Sequence, residues 1–110
     1  MLIEFGEGRI HYSSGEFFVA HPIIDARHIG DQIIVLFDYM AFPQGEAARN
    51  LFAYALDGNL LWRADDLGLG AMDAYTNIVS ETPLVVGNFG GYICSVDLSS
   101  GKIQTTCFTK

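Results

Sequence analysis

Apolar residues along this chain either alternate with polar ones or run together for a few positions, and turn-forming residues bound each stretch. Both are strand patterns: alternation marks a strand with one face in water, and a short unbroken run marks one covered on both faces. Leu2 to Phe5, Arg9 to Tyr12 and Glu16 to Ala20 read as three short strands, punctuated by Gly6, Gly8, Ser13, Ser14 and Gly15. Pro22 opens a longer strand over Ile23 to Ile29, and Gly30-Asp31 turns the chain into Gln32 to Asp38. That last run, QIIVLFD, is apolar on both faces. No segment keeps a helical period over three turns, and Glu46 to Arg49 offers at most one helical turn.

The clearest local signal is NLFAYALDGNLLWRAD, residues 50 to 65. Asp57-Gly58 reads as a two-residue type I′ hairpin turn, because these residues tolerate positive φ. That register sets Leu56 opposite Asn59, Ala55 opposite Leu60, Tyr54 opposite Leu61 and Ala53 opposite Trp62. One face then carries Ala53, Ala55, Leu60 and Trp62, and the other Phe52, Tyr54, Leu56 and Leu61. Trp62 is expected to be buried, with small residues leaving room for its ring. A second hairpin pairs Pro83 to Asn88 with Tyr92 to Asp97 through Phe89-Gly90-Gly91, and Ser99-Ser100-Gly101 leads into Lys102 to Phe108. Two stretches, Tyr39 to Arg49 and Asp65 to Ala74, are irregular. No linker divides the chain, so residues 1–110 are expected to form a single all-β domain. Its architecture is expected to be an antiparallel meander of roughly eight to eleven strands, with two blade-like sheets packed as a sandwich or flattened barrel.

The two hairpins resemble each other. FAYALDGNLLW aligns with YICSVDLSSGKIQT when Asp57 is set on Asp97 and Gly58 on Gly101. The offsets are 40 residues for the Asp pair and 43 for the glycine pair, close to the length of one four-stranded propeller blade, and the blade-like units run over about residues 23–64 and 75–107. An apolar or aromatic strand, Asp, a glycine turn and an apolar strand with Trp resemble the quinoprotein-type β-propeller repeat, whose stretch reads roughly YALDxxTGKxLW. The resemblance implies blade-like sheets. Two units do not close a ring of four to eight blades, and no ligand of the pyrroloquinoline group is matched, so no cofactor is expected. In size and style the chain also resembles short bacterial proteins of mobile gene cassettes.

Composition narrows the function classes. Half of the 110 residues are hydrophobic and 17% are charged, far too apolar a balance for a disordered chain. Six basic against thirteen acidic residues leave a net charge of −7. That charge opposes nucleic acid and anionic lipid, whose phosphates need basic partners. No apolar run reaches the length of a membrane helix, the longest clear one being Ile33 to Phe37. The N-terminus has no basic n-region or long apolar stretch, so a cytoplasmic location, in a bacterial setting, is expected. Cys94 and Cys107 are expected to be reduced thiols, diagonal neighbours on one face of the last hairpin and too far apart for an easy disulfide.

Three constellations carry candidate chemistry. His21, Asp25 and His28 fall within eight residues, but the odd separation of Asp25 and His28 points them to opposite faces of a strand, so a shared metal would need a bulge. His11 is isolated. Asp65, Asp66 and Asp73 flank Leu67-Gly68-Leu69-Gly70 without calcium-loop spacing or the third glycine of a dinucleotide fingerprint, which reads as a solvated loop. No serine or cysteine sits in a nucleophile elbow. The segment Tyr39 to Gly45 places Tyr39, Met40 and Phe42 in irregular chain, which suits either recognition or capping of a sheet end. The expected function is therefore a small non-enzymatic binding or interaction protein. Its protein or small-molecule partner would meet Tyr39, Met40, Phe42, Arg49, Asp65, Asp66 and Asp73, with no metal. The alternative is a small enzyme or metal-binding protein using His21, Asp25 and His28. A homodimer is expected from surplus apolar surface: Ile33, Val35 and Phe37 face one way and Ile34 and Leu36 the other, and the doubly apolar hairpin adds more. The competing account folds residues 1–31 over the second face.

Overall fold

The computed structural model describes residues 3–12 and 15–109; Leu2 and the Ser13-Ser14 turn positions lie outside the described residues. The chain is all-β. Eleven strands are present among the described residues: β1 (Ile3–Gly6), β2 (Arg9–Tyr12), β3 (Gly15–Phe18), β4 (Ile23–Ile29), β5 (Gln32–Phe37), β6 (Leu51–Ala55), β7 (Leu60–Arg63), β8 (Tyr75–Ser80), β9 (Leu84–Asn88), β10 (Tyr92–Val96) and β11 (Ile103–Phe108). They form three antiparallel up-and-down sheets, β1-β2-β3, β4-β5-β6-β7 and β8-β9-β10-β11, none of which closes into a barrel. Among the described residues no helix is long and apolar enough to cross a membrane.

β5 is the reason for the layering. Ile33 through Phe37 are all fully buried, and a strand puts successive side chains on opposite faces. Ile34 and Leu36 join Ala53 and Trp62 against Ile78, Val86, Cys94 and Val96 of the third sheet. Ile33, Val35 and Phe37 instead meet Ile10, Tyr12 and Phe17 of the first sheet. The middle sheet is thus covered on both sides by its own chain. At about 1.5–3 kcal/mol for each fully buried large apolar side chain, β5 accounts for a large share of the favourable burial. The expectation of two packed sheets is corrected to three. The N-terminal strands cover the second face of β5, which removes the apolar surplus from which a homodimer was expected.

Bulges account for most of the local differences. β8 carries two register shifts against β9, between Tyr75 and Asn77 and between Ile78 and Ser80. Its burial pattern therefore loses the period of two, and no strand stood out over it in the sequence. The Asp57-Gly58 turn is not type I′. Gly58 N–H donates to the Ala55 carbonyl and Ala55 N–H to the Asn59 carbonyl, with Gly58 alone at positive φ, +90°. This is the three-residue loop with a left-handed third residue. Tyr54 then pairs with Leu60, and a bulge at Leu61 restores the pairing of Ala53 with Trp62. In the last hairpin a shift between Ser95 and Val96 sets Cys107 beside Ile93. An extra residue moves every later side chain to the other face, so Cys94 is buried and Cys107 exposed, and both are free. The expected shared face of the two thiols is corrected accordingly. Glu46 to Arg49 forms no helical turn.

The two hairpin turns close differently along the main chain but share one side-chain bond. Asp57 Oδ1 accepts from Asn59 N–H at 3.0 Å and Asp97 Oδ1 from Ser99 N–H at 2.9 Å, and each loop then places a glycine at positive φ, Gly58 and Gly101. Trp62 locks the second turn to the middle sheet. Its indole N–H donates to the Leu98 carbonyl at 2.7 Å, and a Cβ on Gly101 would fall 2.5 Å from its ring. Gly101 is thus required both by its φ of +76° and by the ring packed on it. Trp62→Ala would open a cavity between two sheets and leave the Leu98 carbonyl one donor short. A loss of about 3–5 kcal/mol is expected by urea denaturation, with native tryptophan emission blue-shifted relative to the unfolded chain.

Candidate functional site

Three irregular segments meet at one end of the sheets, and buried polar side chains position them. Asn50, fully buried, has its Nδ2 donate to the carbonyls of Phe37 at 2.7 Å and Tyr75 at 2.9 Å, while its Oδ1 accepts from Tyr75 N–H at 2.9 Å. Its side-chain amide stands in for a peptide unit, pairing the end of β5 with the start of β8 where no strand lies between them. Asp73, 1% exposed, accepts from Leu67 N–H at 2.6 Å and Leu69 N–H at 3.1 Å on one oxygen and from Asn88 Nδ2 at 2.9 Å on the other. Its backbone carbonyl takes Ala48 N–H at 2.9 Å, and Phe89 N–H donates to the Ala74 carbonyl at 2.8 Å. A buried carboxylate with three donors is satisfied and orders the loop around it.

These ties bring the Tyr39–Ala48 segment, the Gly70–Ala74 segment and the Phe89 turn around an open cleft of about 270 Å³. Single 3₁₀ turns, Tyr39–Ala41 and Gly70–Met72, aim its side chains outward, the first of them capped by Asp38, whose Oδ1 accepts from Met40 N–H. Tyr39 (37% exposed), Met40 (61%), Met72 (55%) and Phe89 (47%) line it. The Tyr39 and Phe89 rings lie 6.0 Å apart. Glu46 is the charged residue on its wall.

Of the residues singled out from the sequence, Tyr39 and Met40 belong to the cleft. Phe42 does not. It is buried on Phe37, Phe52 and His21 and caps the sheet end. Arg49 takes positive φ, +47°, and exchanges main-chain bonds with Arg63: Arg49 Nε donates to the Ala64 carbonyl at 3.0 Å, and Arg63 Nε to the Arg49 carbonyl at 2.9 Å. The Arg63 guanidinium lies 5.5 Å over Phe42 and 5.2 Å over Phe52; burial, then the neighbouring Arg49 charge, lowers its pKa. Asp65 and Asp66 are exposed, and the Asp65 carbonyl accepts from the Tyr75 hydroxyl. Asp73 serves the scaffold, not the surface.

The histidine constellation is not assembled. His21 packs on the Phe37 and Phe42 rings, His28 on Tyr12 with its Nδ1 buried and unpartnered, and Asp25 pairs with Arg27 at 3.0 Å. No group of three or more His, Cys, Asp or Glu side chains among the described residues is placed to hold a metal ion. Sequence reasoning missed Met72 and Phe89. A signal existed, since each is a large apolar residue within a glycine-rich turn, where core burial is not the usual demand.

Two measurements test this account. Asn50→Leu would strand the Tyr75 N–H and two carbonyls in the core, at about 1–3 kcal/mol for an unsatisfied buried group. A total loss of about 3 kcal/mol or more is expected in urea denaturation. The Cys94 thiol is pushed up to about 11, by burial first and then by the Asp73 charge, so it stays protonated at pH 8. A disulfide reagent should label one thiol per native chain, Cys107, and the second only in denaturant; two fast thiols would contradict the packing.

A family model described as a domain of unknown function (DUF7957) matches residues 3–108 of the chain. No curated protein and no solved structure matches it.

Proposed function

The chain belongs to the DUF7957 family, and we propose that it is a small binding module whose cleft between the Tyr39, Met72 and Phe89 segments takes an apolar side chain of a partner protein. One observation carries the reading: four large apolar side chains, contributed by three separate segments, stand exposed around a single concavity. Methionines adapt to varied shapes and aromatics anchor contacts at little entropic cost. Glu46 on the wall and the net charge of −7 favour a basic residue beside the inserted apolar one. The two free thiols, one exposed, suit the reducing cytoplasm as its compartment.

The test uses two capped dipeptide probes, N-acetyl-Leu-Lys-amide and N-acetyl-Leu-Glu-amide, titrated to millimolar concentration against the isotope-labelled protein. Backbone amide shifts are expected to cluster at residues 39–48, 70–74 and 89, several-fold larger for the lysine probe. The combined substitution Met40→Glu and Met72→Glu, both at exposed positions, should abolish them with little change in stability. Absent shifts, or shifts unchanged in that variant, would overturn the reading.

A further inference from the structure

A sheet edge offers N–H and C=O groups that no strand of the same sheet uses, and folded proteins blunt such edges with charge, bulges or brevity. Most edges here are blunted. β1 and β3 are four residues long and carry Glu4 and Glu16. β4 presents the Asp25–Arg27 pair, β7 has four residues and ends on Arg63, and two bulges break β8. β11 differs. Its six residues, IQTTCF, contain no charge and no proline, Gln104 through Phe108 are exposed, and its one bulge, at Gln104, lies near its start and leaves Thr105 through Phe108 in regular pairing.

We infer that β11 is a self-pairing edge, on which a second copy of this chain adds its own β11 across a twofold axis, joining two four-stranded sheets into one. The register follows from the ladder. Thr109 N–H donates to the Gly91 carbonyl, and bonded pairs alternate in an antiparallel ladder. Ile93–Cys107 and Ser95–Thr105 are then the bonded pairs with β10, Thr106 and Phe108 turn their backbone groups outward, and Gln104 is the bulged residue between the Thr105 and Ile103 pairs. A twofold axis normal to the sheet at Thr106 sets Thr106 on its counterpart in the second copy and Gln104 on Phe108. The Thr106 pair then bonds twice in regular geometry, and a Gln104–Phe108 pair flanks it on each side beside the bulge, for at most about six main-chain hydrogen bonds. An axis at Thr105 would use fewer.

Charge selects this edge for a second copy. Each chain carries −7, so copies repel wherever carboxylates meet, and β11 brings none to the seam. This pairing is independent of the cleft. It also differs from the dimer expected of surplus apolar faces, because those faces are covered within the chain and the edge is not.

Sedimentation velocity at rising concentration, from micromolar to sub-millimolar, should show the 12.1 kDa chain passing to twice that mass. Thr106→Pro removes an N–H that β10 does not use, an edge position proline tolerates. It should hold the chain at monomer mass with an unchanged far-ultraviolet spectrum, and Thr106→Lys should do the same if the proline variant fails to fold. In a Cys107→Ser background, Thr106→Cys should give a disulfide-linked dimer with oxidised glutathione, since bonded partners sit about 5.5 Å apart at Cα. Monomer mass at every concentration, dimers undiminished in a folded Thr106 variant, or no cross-link at Thr106→Cys would each overturn the proposal.

Discussion

The arrangement of this protein depends on one buried amide. Asn50 follows a residue held at positive φ, and its side chain binds the Phe37 carbonyl and both backbone groups of Tyr75. It spans the point where the middle sheet ends and the third sheet begins, so two sheets that share no strand are joined by peptide-like hydrogen bonds. A buried amide is costly unless all its partners are present, which makes the junction specific as well as strong. The contact also sets the direction in which the 65–74 loop leaves Tyr75, and Asp73 then pins that loop to Ala48 and Asn88. The cleft is a consequence of these bonds.

Layering by one chain changes where apolar residues reach water. Because the first sheet covers Ile33, Val35 and Phe37 and the third covers Ile34 and Leu36, the middle sheet needs no second molecule. Among the exposed large apolar side chains, Tyr39, Met40, Met72 and Phe89 sit together in connections, where the backbone holds them without a strand partner. Recognition on loops carried by a rigid scaffold is a common division of labour. The uncharged edge of β11 is a different kind of surface, which suits a strand and not a side chain.

Much of the fold was legible in local pattern. Short alternating runs between glycine turns gave the all-β class and most strand positions, and the doubly apolar QIIVLF stated that β5 would be covered on both faces. The pairing of Ala53 with Trp62 was set by the type I′ register, and the structure keeps it because the bulge at Leu61 offsets the extra loop residue. The segments Tyr39 to Arg49 and Asp65 to Ala74 stood out as irregular, and their nearness in space was the part that sequence did not contain. Asp73 read as a solvated acid and is buried, because its three donors come from Leu67, Leu69 and Asn88, and the last of these is distant in the chain.

What the sequence determined by itself was whatever period and turn chemistry encode over a few residues: strand identity, glycine positions and the number of covered faces on β5. Tertiary structure alone decided which element covered each face, where Asn50 and Asp73 found partners, and which side of the sheet Cys107 and Leu61 took. The physical reason is parity. A strand alternates with a period of two, so a single bulged residue reverses everything beyond it. Whether a bulge forms depends on packing against a neighbouring strand as well as on the residues in the bulge.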